Sequence, residues 1–192
     1  MNLVFGMMLI LLAGVSTLLG KEAAIVVTPL DLPAKGKDGF QLLATQTTGL
    51  SPKSKYFPLK NVPIRETGHS GLGVGDVNGD GLVDLYVCGM ESANALYINK
   101  GNWKFEDQTE AAGVACRGWR LSGAIFADVD GDGDLDLTLT SLLDGRNFMY
   151  LNDGQGRFTE NRGVGWVYNP RGGTVSATFA DVDGDGDLDM YT

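Results

Sequence analysis

The residues of this chain best suited to chemistry are aspartates set two apart. They form the nonapeptide Asp76-Val-Asn78-Gly-Asp80-Gly-Leu82-Val-Asp84 and recur as Asp128-Val-Asp130-Gly-Asp132-Gly-Asp134-Leu-Asp136. A third copy reads Asp181-Val-Asp183-Gly-Asp185-Gly-Asp187-Leu-Asp189. Oxygen ligands at positions 1, 3, 5, 7 and 9, with glycine at 4 and 6, suit a hard divalent cation. Glycine lets the chain turn sharply enough for the side chains at 1, 3 and 5 to converge. Position 7 (Leu82, Asp134, Asp187) offers its backbone carbonyl and position 9 a further carboxylate. An all-oxygen, flexible, water-tolerant set favours Ca²⁺ over the stricter octahedron of Mg²⁺. Up to three ions are expected, bound most weakly by the first loop, where Asn78 replaces an aspartate.

An EF-hand would need a bidentate Glu at position 12, and that place is held by Val87, Leu139 and Thr192. Solvated turns without a cation are the plainer alternative. They are disfavoured because up to five carboxylates in nine residues repel one another.

The loops sit in a longer repeat. They are offset by 52 and 53 residues, and Asn94, Tyr97, Asn99 and Phe105 recur 53 residues on as Asn147, Tyr150, Asn152 and Phe158. Within one period, residues 124–127, 135–141, 148–151 and 157–160 read as short strands, with a turn at Asn152-Asp-Gly-Gln-Gly156. About four strands per ~50 residues is the arithmetic of a β-propeller blade. The fold class expected is therefore all-β: a β-propeller of four-stranded blades with Ca²⁺-binding loops, about two and a half of them in this chain. A β-sandwich of repeated hairpins is the alternative. Because a propeller closes with ~4–8 blades, the chain reads as the N-terminal part of a longer protein.

The 192 residues carry a net charge of −9, and 13 of the 24 acidic residues lie in the three loops. The acidity is thus local, and without a basic surface nucleic acid is not an expected partner. One histidine, His69, leaves no material for His-based catalysis and reads as a loop residue. Gly71-Leu-Gly-Val-Gly75 is glycine-rich but leads into an acidic loop and not into a phosphate-binding helix.

Residues 3–19 are an almost wholly apolar run. Residues 1–20 are expected to be a secretory signal peptide or N-terminal anchor, which gives a secreted, periplasmic or cell-surface location. Any contact with membrane would run through that segment if it stays uncleaved. Residues 21–66, rich in Pro and Lys, are a linker or a strand that closes the propeller, and 67–192 hold the repeats. Export permits a disulfide between Cys88 and Cys116, and two unrelated thiols are the alternative.

The loops, with the N-x-x-Y-x-N-x-G-x-x-x-F block between them, resemble the FG-GAP/VCBS repeats of integrin-α-type propellers. Asn94-Ala-Leu-Tyr-Ile-Asn99, Phe105-Glu-Asp-Gln-Thr109, Ala112-Gly-Val114 and Thr48-Gly-Leu resemble more closely exported, cartilage-acidic-protein-like propellers that carry a C-terminal ASPIC/UnbV region. That region itself is absent from this sequence. The resemblance implies a Ca²⁺-stabilised propeller outside the cytoplasm. Function is then expected to be non-catalytic binding or adhesion, with a protein or glycan ligand. The alternative is part of a polysaccharide lyase or hydrolase whose catalytic residues lie elsewhere. Under that alternative Trp103, Trp119 and Trp166 would stack on sugars; packing between blades is the reading preferred here.

Overall fold

The computed structural model describes residues 42–51, 71–89, 93–141, 145–163 and 173–192. The N-terminal apolar run, His69 and Trp166 lie outside these residues. Among the described residues a single helical turn, α1 (Thr45–Thr48), precedes ten strands. β1 (Leu72–Gly75), β2 (Asp84–Val87), β3 (Ala95–Asn99) and β4 (Phe105–Asp107) form one antiparallel meander. β5 (Leu121–Ala127), β6 (Asp136–Ser141), β7 (Phe148–Asn152) and β8 (Phe158–Glu160) form a second. β9 (Thr178–Ala180) and β10 (Asp189–Tyr191) pair as a hairpin. The strands are rich in aromatic, β-branched and leucine residues that fill a pleated, buried surface.

The register repeats with the sequence. Gly75 faces Asp84, and Ala127 faces Asp136, so each acidic loop closes the hairpin of the first two strands of its sheet. Tyr97 lies opposite Leu85, as Tyr150 lies opposite Leu137. The two sheets share one buried core, in which Tyr86, Leu96 and Ile98 of the first meet Ala124, Leu137, Leu139, Phe148 and Tyr150 of the second. Two four-stranded meanders packed face to face, with a third hairpin following at the same period, are successive blades of a β-propeller.

The glycine-rich β1 owes its composition to this packing. A Cβ at Gly73 would lie 3.2 Å from that of Ala124 and 3.1 Å from the Phe126 ring. At Gly71 it would come within 2.5 Å of the Gly123 Cα. The innermost strands of the two sheets therefore approach almost backbone to backbone. The next junction uses hydroxyls: the Thr174 amide donates to the Ser141 carbonyl (2.9 Å), and Ser122 Oγ donates to the Thr174 carbonyl (2.8 Å). Part of the expected N-terminal linker also packs on the first sheet, where Gly49 abuts the Phe105 carbonyl.

Candidate metal centre

Three kinds of hydrogen bond recur in all three loops, while the second oxygen of position 1 accepts the position 5 amide in the first loop and the position 4 amide in the other two. The aspartate at position 1 accepts the position 6 amide: Gly81 to Asp76 (2.7 Å), Gly133 to Asp128 (3.0 Å) and Gly186 to Asp181 (3.2 Å). The side chain at position 3 accepts the position 5 amide: Asp80 to Asn78, Asp132 to Asp130 and Asp185 to Asp183. Position 5 accepts position 7: Leu82 to Asp80, Asp134 to Asp132 and Asp187 to Asp185, each at 2.9 Å. Glycines at 4 and 6 all have positive φ, from 70° at Gly79 to 97° at Gly186. Nothing lies within 4 Å of where their Cβ would stand, so backbone conformation and not space requires glycine there.

Position 9 does more than offer a ligand. Asp84 accepts the amides of Val77 (3.0 Å) and Asn99 (2.7 Å), and Asp136 those of Val129 and Asn152 (2.9 Å each). Each carboxylate thereby braces its loop against the turn between the third and fourth strands. Asp84 and Asp136 are buried, whereas Asp189, in the two-stranded hairpin, is exposed. Burial pushes both buried carboxyls above the ordinary aspartate value; the two amides on each oppose this, and neighbouring loop carboxylates add to it.

Ligand atoms of Asp128, Asp130 and Asp136 lie within 4.8 Å of one another, as do those of Asp181, Asp183 and Asp189. Positions 1, 3 and 9 thus converge in the second and third loops. Asp132 and Asp185 stand outside those trios and support the next turn of backbone. In the first loop Asn78 takes the middle place, so Asp76 and Asp84 lack a third carboxylate there. Asp134 and Asp187, at position 7, lie outside the converging trios. Desolvation, and then the charges of Asp132, Asp128 and Asp153, push the Asp134 carboxyl up. Oxygen-only trios of this size fit a hard cation.

Two sets of asparagines carry roles that their spacing flagged without explaining. Asn152 donates through Nδ2 to the carbonyls of Val77 (2.8 Å) and Leu135 (3.0 Å), and its Oδ1 accepts the Gly156 amide. Its counterpart Asn99 bonds Val83 and Gly101 in the same manner. Asn94 and Asn147, at the other end of the third strands, hold the end of the second strand and the chain that leads onward.

Cys88 and Cys116 are free thiols in this structure, so the disulfide that export would permit is not formed in it. Trp119 packs edge-on against Phe148 at 5.1 Å, with the Arg146 guanidinium over its ring, contacts within the second sheet and not between blades. Trp103 is 68% exposed.

Four-stranded blades repeated at one period, each first hairpin closed by the same acidic turn, define the class of repeat propellers. The family model of the FG-GAP-like repeat matches residues 76–139 and again 138–192. The chain belongs to this family. Comparison with curated proteins gives no match.

Proposed function

We propose that this chain is an exported, calcium-binding propeller module that binds a protein or glycan partner without catalysing a reaction, the metal being structural. The observation that carries the metal reading is the convergence of carboxylates as oxygen-only trios in the second and third loops. Membership of the FG-GAP-like repeats supports a binding role. The wider likeness to ASPIC/UnbV-bearing exported propellers belongs to the same reading. Asp128, Asp130 and Asp136 would hold one ion, and Asp181, Asp183 and Asp189 another. Asp76, Asn78 and Asp84 form a weaker third site. Calcium would supply the positive charge that lets these carboxylates sit together and would stiffen the turn between the two inner strands of each blade. No observation among the described residues favours the lyase or hydrolase alternative.

The test is calcium titration by calorimetry, with melting curves in Ca²⁺ and in chelator. Binding of more than one ion, with melting raised by the metal, is the expected result. Asp130→Ala and Asp183→Ala should each remove one equivalent. Absence of binding heat together with melting indifferent to chelator would overturn the metal reading.

A further inference from the structure

The seam between the end of β2 and the linker into the second sheet holds four ionisable groups that play no part in the acidic loops: Tyr86, Cys88, Cys116 and Tyr150. Two pins hold these chain segments side by side. Tyr86 Oη donates to the Val114 carbonyl at 2.7 Å. Asn94 accepts the Gly89 amide at 2.8 Å and donates to the Cys116 carbonyl at 3.2 Å. Residue 88 stands two beyond the first pin and one before the second, and residue 116 stands two beyond Val114. The two cysteines therefore stand on chain segments that one asparagine side chain bridges.

We propose that Cys88 and Cys116 are the halves of a reversible disulfide that ties the end of β2 to the linker entering the second sheet, with Cys116 reacting first. Cys116 has the reach for this. It is half-buried at the margin of the core; burial pushes its thiol above the ordinary value, and the Tyr150 Oη 3.0 Å from its Sγ opposes that shift. Its φ of 41° is a strained value for a residue with a side chain. Cys88 is 2% exposed and its amide is fixed on the Gly71 carbonyl. Burial, and to a lesser extent the charge of Cys116, push its thiol up to about 12 against the opposing Gly71 bond. It is the resolving partner.

The oxidant is a small disulfide, RS–SR. The Cys116 thiolate attacks one sulfur, forming a mixed disulfide and releasing RS⁻, which takes up the proton Cys116 lost. The Cys88 thiolate then attacks the Cys116 sulfur, forming the internal bond and releasing the second RS⁻, which takes up the proton from Cys88. Two electrons pass to RS–SR, and two RSH leave. The inference concerns groups apart from the acidic loops and does not rest on the calcium reading.

The chain is treated with oxidised glutathione, then alkylated and weighed intact, before and after reduction. The expected product is two hydrogens lighter, takes no alkyl group until reduced, and yields a peptide joining Cys88 to Cys116. Cys88→Ala should stop at a glutathione adduct on Cys116. Two alkylatable thiols after oxidation, or a lasting glutathione adduct on the unaltered chain, would overturn the proposal. Lack of an adduct in Cys88→Ala would overturn the order of attack. Closing a loop of this length should also raise melting by roughly 5–15 °C.

Discussion

Asn152 joins three backbone groups on two sheets with one side chain, and that makes it worth more than its size. Asn152→Ala strands the Val77 and Leu135 carbonyls and the Gly156 amide. A loss of about 1–3 kcal/mol is expected, read as a melting point lower by roughly 2–10 °C. The pH response of the seam is also a residue-level property. Burial raises Cys88 to about 12 from an ordinary 9.0, and raises Tyr86 and Tyr150 above 10.0. The folded state thus keeps protons that the unfolded chain gives up. The stability they contribute is whole below about pH 9 and is lost as pH rises towards 12. Melting followed from pH 8 to 11 should fall, and less steeply in Cys88→Ala. A flat profile would show that these groups are not buried in solution.

Among the elements, two kinds of glycine separate cleanly. Gly131 has φ of 77° and open space around it, so Gly131→Ala should cost about 1–2 kcal/mol and weaken metal binding by distorting the loop. Gly73 has no such φ but faces Ala124 and Phe126, so Gly73→Val should cost about 1–3 kcal/mol by overpacking and leave metal affinity unchanged. Paired melting and calorimetry distinguish the two. This difference also explains what the sequence could tell. The loop glycines were legible because their offset from aspartate repeats three times. Gly71, Gly73 and Gly75 were visible only as a glycine-rich run, since their reason is a neighbouring strand about fifty residues away. The position 9 aspartates were legible as oxygen donors, but not as braces, because the amides of Asn99 and Asn152 come from strands brought close only by folding. The four-strand blade was readable throughout because its turn chemistry and apolar runs keep one period.

At the scale of the molecule, the first blade carries the poorest loop. Asn78→Asp restores a carboxylate at position 3 and should tighten binding there several-fold, raising the number of strong sites measured by calorimetry. An unchanged isotherm would mean that positions 1 and 9 of that loop do not converge. The loops are also not independent units. The Asn152 turn of the second sheet grips the Val77 carbonyl inside the first loop, and Gly156 lies against Asn78 and Val77. The Asn152 clasp thus adds to the shared core a direct link between the loops of successive blades. On the proposed calcium reading, loading one loop lowers the cost of setting its neighbour, and binding across the described loops should be cooperative.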